Sequence, residues 1–181
     1  MTSYGYSNSS NANTTSQNDY NNDVKPSNTC PPLSESISDI AWISNQVANV
    51  FAATTWDGNL RVFEVQTGYG NAINSKLQVK INSPLTACCW SPDNSAIFVG
   101  CGAGSIKAVD INSSNVMDIG KQNSGISGLH YVASQGCVMS TAYESNVGFW
   151  KPGNNGPVFN LDLGNKVFCS DFVNGIFAAG C

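Results

Sequence analysis

Three aromatic residues at a fixed spacing constrain the fold of this chain more than any other feature of its sequence. Trp90, Tyr131 and Phe172 follow one another at intervals of 41 residues, and each lies at the end of a short apolar run. Trp42 precedes Trp90 by 48 residues, and the surplus falls in the stretch 67–75, which contains Gly and Asn. Propeller blades repeat a four-stranded unit every ~40 to 45 residues and tolerate loop insertions, whereas a β-sandwich has no such period. The spacing therefore predicts a β-propeller.

The polar turns between the apolar runs form a second, independent register. Segments 57–64, 103–110 and 144–151 align with one another, and each consists of a polar turn followed by a strand-like alternation. Val109-Asp110 lies near the terminal Trp-Asp position of a WD repeat. The Gly-rich stretch 100–104 superficially resembles a phosphate-binding loop, but neither a helix nor Gly-Lys-Ser/Thr follows it. We interpret it as a tight turn in which glycine supplies a positive φ.

The residues from Ile37 onward predict an all-β fold. Runs rich in Val, Ile, Phe and Thr alternate with clusters of Gly, Asn, Ser and Pro, and no stretch keeps the i, i+3, i+4, i+7 spacing of a helix. The predicted strands occupy residues 38–42, 50–54, 60–65, 85–90, 96–101, 106–111, 126–131, 137–141, 147–150 and 167–172. Each complete repeat thus reads strand, loop, strand, tight polar turn, strand, as in a WD-repeat blade.

The first 30 residues differ in composition from the rest of the chain. Asn, Ser, Thr and Gln supply 18 of them, and Leu, Ile, Phe and Trp are absent. Such a segment cannot bury enough apolar surface to offset the ordering entropy of ~1 to 2 kcal/mol per residue. We predict a disordered arm over residues 1–30 and a partial propeller over 31–181.

Charge and cysteine content narrow the function classes. The net charge of −4 disfavours long-range attraction to nucleic acid or anionic membranes, and no apolar run is long enough to predict membrane insertion. The seven cysteines include no C-x-x-C pair and lie at no zinc-finger spacing from His130, the only histidine. We therefore predict reduced thiols, no metal and no cofactor.

A series of segments runs in order from about residue 30 to 181: Pro31 to Ile40, Thr55-Trp56-Asp57, Leu60 to Gln66, Ser83-Pro84-Leu85, Cys89 to Asp93, Lys107 to Ile111, Gly120 to Tyr131, Cys137 to Pro152 and Val167 to Asp171. Together these segments resemble the Rae/Gle mRNA export factors of the nuclear pore. The related Bub mitotic checkpoint protein shares the propeller but usually lacks the long arm and the Glu64-Val65-Gln66 ending of the first blade. A Bub-type scaffold that binds kinase or kinetochore motifs is the alternative.

The resemblance implies a noncatalytic scaffold that binds the Gle-binding hairpin of an FG nucleoporin and, weakly, mRNA or mRNP. It also implies a location in the nucleus, at the nuclear envelope and its pores, and in the cytoplasm. In this family the Trp-Asp turns of the first and third blades line the partner-binding face, which here corresponds to Trp56-Asp57 and, with two substitutions, to Tyr143-Glu144. The bulky Trp56 in a polar turn is also the kind of residue that anchors partners.

The resemblance further implies seven blades, of which this chain supplies about three and a half. The sequence stops inside the second strand of a fourth blade. An open half-propeller leaves strand edges unpaired. We expect a fragment or a truncated gene product; a partner that completes the ring and a decayed paralogue are the alternatives.

Four basic residues are candidates for RNA contact: Arg61, Lys80, Lys107 and Lys121. They are scattered at one or two per blade, which is the pattern of an ordinary solvated surface rather than of a binding tract. With few phosphate contacts, the electrostatic contribution to the free energy of RNA binding is small. Composition alone therefore predicts weak RNA binding.

The buried His, Ser/Thr, Trp and Asp network of WD blades is expected to be mostly lost. Ser83 or Ile81, and Gln122, stand where a Gly-His dipeptide is typical, and the turn acid survives only as Asp57 and Glu144. Half-satisfied networks are costly, so packing should replace the missing members. The alternation of apolar and polar neighbours predicts that Trp42, Trp90 and Phe63 lie in the core.

Catalysis has little support in the sequence. A hydrolase would have to use His130, which lies between Leu129 and Tyr131 in a predicted strand, and no G-x-S-x-G elbow occurs. We predict a packed strand histidine and a protein without enzymatic activity. Asp57, Glu144 and Asp110 lie in turns, where capping explains them better than paired-carboxylate chemistry does.

Overall fold

A computed structural model describes residues 35–43, 48–66, 72–154 and 156–181. The predicted disordered arm over residues 1–30 lies outside the described residues, as do residues 67–71 of the predicted insertion. The described residues contain no helix with the length and apolar character needed to cross a membrane.

Fourteen β-strands make up the secondary structure of the described residues. They are β1 (Ile37–Trp42), β2 (Val50–Thr55), β3 (Asn59–Val65), β4 (Ile73–Lys80), β5 (Leu85–Trp90), β6 (Ala96–Cys101), β7 (Ser105–Asp110), β8 (Val116–Lys121), β9 (Ile126–Val132), β10 (Cys137–Ala142), β11 (Asn146–Trp150), β12 (Phe159–Asp162), β13 (Cys169–Val173) and β14 (Ile176–Gly180).

The strands form three four-stranded antiparallel sheets and one two-stranded sheet. Each sheet is a simple meander in sequence order: β1 to β4, β5 to β8, β9 to β12, then β13 and β14. The first strands contact one another in succession, β1 with β5, β5 with β9 and β9 with β13. Sheets whose first strands gather side by side are the blades of a β-propeller. The predicted all-β, partial-propeller fold is therefore confirmed.

The sequence identified the inner three strands of each four-stranded blade but missed the outer one, and in the two-stranded sheet it identified only the first strand. β4, β8, β12 and also β14 had no predicted counterpart. β4 and β8 are mostly exposed, and every residue of β12 is exposed. Because an outer strand has little contact with neighbouring sheets, its sequence lacks the apolar alternation by which strands are recognised.

The hydrophobic core lies between successive sheets. One cluster joins the first and second sheets around Leu60, Trp90 and Ile97, and another joins the second and third around Ile106 and Ile126. Phe63 and Trp90 are buried, at 1% and 5% exposure, as predicted.

The predicted burial of Trp42 is wrong, because its side chain is 59% exposed. Its ring packs along its own sheet against Phe51, with centroids 5.1 Å apart. It does not insert between two sheets as its counterpart Trp90 does.

Two hairpins that are equivalent in the repeat require glycine. Gly58 and Gly104 have φ of +85° and +87°, in the turns between the second and third strands of their sheets. A Cβ on Gly104 would overlap the carbonyl oxygens of Gln122 and Ser124, and one on Gly58 would overlap those of Ile81 and Ser83. The predicted tight turn within 100–104 is confirmed.

Candidate partner-binding face

The turn between β2 and β3 presents Trp56 to solvent on a rigid frame. The Thr55 hydroxyl donates to Asp57 Oδ1 at 2.5 Å, and Asn59 Nδ2 donates to Asp57 Oδ2 at 2.6 Å. Gly58 N closes the turn on the Thr55 carbonyl oxygen at 3.0 Å. Trp56 is 50% exposed at the tip. A bulky aromatic held in this way is suited to anchoring a partner.

Asp57 has a structural role in this turn. Besides the two side-chain donors, its carboxylate lies 3.6 Å from the Lys80 ammonium, which also donates to the Asp57 carbonyl oxygen. The Asx-type capping that the sequence suggested is therefore present here. Asp57 shapes the turn that displays Trp56.

The equivalent turn of the third sheet presents Tyr143. Its ring is 42% exposed and lies 6.3 Å from the ring of Phe168, which is 60% exposed. Its backbone N–H donates to the Gly125 carbonyl oxygen at 2.9 Å. Glu144 accepts from Asn123 N–H at 3.3 Å, so its carboxylate ties the turn to the connection between β8 and β9.

The second sheet has Gly102 where the first and third sheets carry aromatic residues. Three successive turns thus read aromatic, glycine, aromatic around the same side of the propeller. A Cβ on Gly102 would meet only ordinary contacts with Pro84 and Thr86, so the small residue is not required by the turn. Gly102 therefore presents no side chain between the turns of Trp56 and Tyr143.

These two aromatics line one cavity with the first strands of the sheets. We call it the inner-strand cavity; it has a volume of about 460 Å³ and is lined by Ser38, Asp39, Ile40, Trp56, Thr86, Ala87, Cys88, Cys89, Ser127, Gly128, Leu129, His130, Tyr143 and Ser170. Among the residues that the structure describes, no cluster of His, Cys, Asp and Glu could hold a metal ion.

His130 lies in strand β9 as predicted, but its partly buried side chain lines this cavity and is not part of the hydrophobic core. Its Nε2 lies 2.9 Å from the hydroxyl of Ser170, which lies 3.0 Å from the hydroxyl of Thr141. Ser127 donates to the same Thr141 oxygen at 3.0 Å. Partial burial lowers the pKa of His130, although Asp171 and Asp39 act in the opposite direction. The sequence pattern could not show this, because β9 contributes residues both to the cavity and to the core between the sheets.

Asp39 is a residue of this cavity that the sequence did not reveal. Its Oδ2 accepts from Cys88 N–H of the next sheet at 2.8 Å, and its Oδ1 accepts from Ile40 N–H at 2.8 Å. Burial raises its pKa, and these two hydrogen bonds act against the rise. Asp39 is a single acidic residue within a strand-like run and belongs to no recognisable sequence motif. Its location in the cavity follows only from the contact between β1 and β5.

The third blade retains most of the buried network that the sequence led us to expect was lost. Trp150 Nε1 donates to the Ser140 hydroxyl at 2.7 Å, and that hydroxyl donates to Gln122 Oε1 at 2.9 Å. Gln122 Nε2 continues to the Asn146 carbonyl oxygen at 3.0 Å. The prediction is wrong here because the Gln122 amide both donates and accepts, as a histidine does.

Packing replaces the network in the other two blades. In the register of the sheets, Ala53 and Val99 occupy the position that Ser140 has in the third blade. Phe63 and Val109 occupy the position of Trp150. All four side chains are buried. The predicted replacement by packing is therefore correct for the first and second blades.

The four RNA-contact candidates form two pairs of equivalent positions. Arg61 and Lys107 occupy the same register in β3 and β7, and Lys80 and Lys121 end β4 and β8. Lys80 is paired with Asp57, and Lys107 Nζ lies 2.5 Å from Asp118 Oδ1. Lys80 and Lys121 lie on the side of the propeller that carries the Trp56 turn, because they pair with the first residues of β3 and β7.

Comparison with known proteins gives several relatives, although no family model matches the chain. Protein Rae1 of Drosophila melanogaster is 25% identical over 143 residues, which cover 77% of this chain and 41% of that protein. The spindle assembly checkpoint protein bub3 of Schizosaccharomyces pombe is 26% identical over 140 residues, covering 76% and 42%. An mRNA export factor of Xenopus tropicalis is 27% identical over 158 residues, covering 86% and 42%. The chain thus spans about two fifths of the length of these relatives.

A solved structure supports the fold. The computationally designed Ika4 protein superposes with a TM-score of 0.63 at 18% identity, and the match covers 82% of this chain and 87% of that one. A WD40 repeat protein of Penicillium oxalicum is 22% identical over 151 residues, covering 80% of this chain and 42% of that protein. Together with the blade topology, these findings define the class: the chain is a partial β-propeller that is similar to WD-repeat proteins. Within this class it is similar to the Rae1-type mRNA export factors and, as a related protein, to Bub3, which confirms the resemblance read from the sequence.

Proposed function

We propose that this chain is part of a noncatalytic scaffold in mRNA export that binds the Gle-binding hairpin of an FG nucleoporin. The observation that carries the proposal is the pair of exposed aromatics, Trp56 and Tyr143, held on equivalent turns with Gly102 between them. Relatives that are named as mRNA export factors support the process. The corresponding location is the nucleus, the nuclear envelope at its pores, and the cytoplasm.

An extended hairpin fits this face better than a compact ligand does. Trp56 and Tyr143 lie on the turns of the first and third sheets, so a partner that covers the exposed parts of both rings must span the turn of the second sheet. Their turns are fixed by Asp57 and by Glu144, so little entropy is lost when the rings are covered.

The test is the affinity of the full chain for a peptide carrying the Gle-binding hairpin of an FG nucleoporin, measured by calorimetry. Trp56→Ala should weaken binding by about 2 kcal/mol, the usual hot-spot scale, which is roughly thirtyfold. Tyr143→Ala should weaken it as well. Melting temperatures of both variants should stay close to that of the unmodified chain, because both rings are largely exposed.

Trp42→Ala is the matched control for this measurement. Trp42 is exposed to a similar degree but does not line the inner-strand cavity. The proposal fails if Trp42→Ala weakens hairpin binding as much as Trp56→Ala does, or if Trp56→Ala leaves the affinity unchanged.

RNA contact is the weaker part of the proposal and depends on Lys121. This side chain is exposed, whereas Lys80 and Lys107 have acidic partners within the chain. Lys121→Gln should weaken binding of a single-stranded oligoribonucleotide and reduce the salt slope by about one. Lys76→Gln, on the outer strand β4, is the control and should change neither quantity.

The similarity to bub3 of Schizosaccharomyces pombe keeps a checkpoint scaffold as a second candidate. Peptides with kinase or kinetochore motifs, tested on the same variants, distinguish the two candidates. A hydrolase using His130 and Ser170 is a third, minor alternative, since the two side chains are hydrogen-bonded. We propose a noncatalytic protein; ester turnover by the full chain that disappears in His130→Ala would contradict this.

A further inference from the structure

The inner-strand cavity contains a carboxylate without a basic counterpart. Asp39 lines it together with hydroxyl groups, backbone and aromatic rings, and no Lys or Arg is among the described residues of its wall. The ion pairs between described residues do not include Asp39. The local field therefore favours a cation and disfavours phosphate or carboxylate ligands.

Asp39 is held in place but keeps acceptor capacity. Each carboxylate oxygen accepts one backbone N–H at 2.8 Å, from Cys88 or from Ile40, and the Cys88 thiol also hydrogen-bonds the carboxylate. The two oxygens have about four lone-pair sites between them, so the carboxylate can still accept at least one hydrogen bond from a ligand. A fixed, preorganised carboxylate gives stronger charge-assisted hydrogen bonds than a mobile one.

The other groups that line the cavity can contact the parts of a planar cation that Asp39 does not bind. Ser127, His130 and Ser170 belong to one hydrogen-bonded series, whose hydroxyl oxygens have a second lone-pair site for a further donor. Of the remaining titratable groups, Cys88 and Cys89 have their pKa raised by burial, so both thiols are neutral. Trp56 and Tyr143 supply π-faces, which attract cations.

We propose that the inner-strand cavity binds the guanidinium group of an arginine side chain presented by a partner polypeptide. Arginine suits it better than lysine because a planar group with several donors can bond Asp39 and a neighbouring hydroxyl at once and stack on aromatic faces. The cavity shares Trp56 and Tyr143 with the proposed hairpin-binding face. Arginine binding in the cavity depends on Asp39, however, and any polypeptide with an accessible arginine can occupy the cavity.

The test uses the full chain labelled with ¹⁵N and two short blocked peptides, acetyl-Gly-Arg-Gly-amide and its citrulline counterpart. Citrulline has nearly the same shape but no charge. The arginine peptide should shift and saturate the amide signal of Cys88, which reports on Asp39, and the ring signals of His130. The citrulline peptide should bind at least about tenfold more weakly, because it loses the charge-assisted hydrogen bonds.

Asp39→Asn should abolish the difference between the two peptides, whereas Asp93→Asn, which removes an exposed turn carboxylate outside the cavity, should preserve it. Equal binding of both peptides by the unmodified chain, or unchanged binding by Asp39→Asn, would overturn the proposal. If Asp39→Asn does not fold, a variant in which leucine replaces both Trp56 and Tyr143 tests the proposal instead. It should bind the arginine peptide several-fold more weakly than the unmodified chain does.

Free methylguanidinium is the third ligand in the series. Binding of it as tight as that of the arginine peptide would show a site for a small organic cation rather than for a polypeptide side chain. This series contains no nucleoporin segment, so its failure and the failure of hairpin binding are separate results.

Discussion

The indole Nε1 of Trp90 donates a hydrogen bond of 2.9 Å to the carbonyl oxygen of Ala41, a residue 49 positions earlier in the chain. The bond joins the end of the first strand in the second blade to the first strand of the first blade. Since the ring is also buried between the two sheets, Trp90 contributes both apolar burial and a specific polar link across a blade interface.

Trp90→Ala should therefore cost about 3 to 5 kcal/mol of unfolding free energy, the usual range for a large buried aromatic. Trp42→Ala, at the equivalent position of the first blade, should cost less than about 1 kcal/mol because most of the ring is exposed. Urea unfolding of both variants measures the difference. Similar costs would show that the interface between the first two blades does not depend on Trp90.

Ser140→Ala should destabilise the third blade by about 1 to 3 kcal/mol, because it leaves both Trp150 Nε1–H and Gln122 Oε1 without their partner in a buried site. Ser113→Ala removes an exposed hydroxyl that bonds Asp110 and should cost no more than about 0.5 kcal/mol.

A double-mutant cycle checks that the network acts as a unit. Ser140→Ala combined with Gln122→Leu should show a coupling energy of at least about 0.5 kcal/mol, since the two side chains share a hydrogen bond. Simple additivity of the two single variants would contradict the network.

Gly104→Ala should destabilise the chain by about 1 to 3 kcal/mol, because the turn needs a φ of +87° and the new Cβ would overlap two carbonyl oxygens. Gly136→Ala is the control: its φ of +59° carries the left-handed strain, but nothing lies within 4 Å of the new Cβ. It should cost only about 1 kcal/mol. Thermal unfolding of the two variants should differ, and equal melting temperatures would show that the overlap at Gly104 relaxes without cost.

The accuracy of the sequence-based predictions depended on how far each feature is determined locally. Gly104 and the aromatic spacing were recognisable because a turn and a repeat leave marks at fixed positions. The outer strands β4, β8 and β12 lack these marks, since exposed strands tolerate almost any polar residue. The location of Asp39 in the cavity depends on a contact between blades, which no single-chain periodicity encodes.

Predictions that relied on the type of amino acid failed where one residue can take the chemical role of another. Gln122 does not match the expected histidine by name, yet its amide accepts from Ser140 and donates to a backbone carbonyl as the network requires. Trp42 matched the apolar register of Trp90, but the register does not determine whether a second sheet covers it. Trp56 differs from both, because the polar turn that the sequence indicates around it offers no core contact and its ring is half exposed.

The stability of the chain should depend on pH through His130, the only histidine. Burial lowers its pKa in the folded chain below the ordinary value of 6.5. The unfolded chain therefore binds more protons between the two pKa values, and the free energy of unfolding rises with pH across this window. The contribution is complete above pH 6.5 and is lost as the pH falls through the lowered pKa. Urea unfolding between about pH 5.5 and 8 should show this slope, and His130→Asn should remove it. The ring signals of His130 give the folded pKa independently; a value at or above 6.5 would show that attraction to Asp171 and Asp39 matches or outweighs burial, and the stability slope would then vanish or reverse.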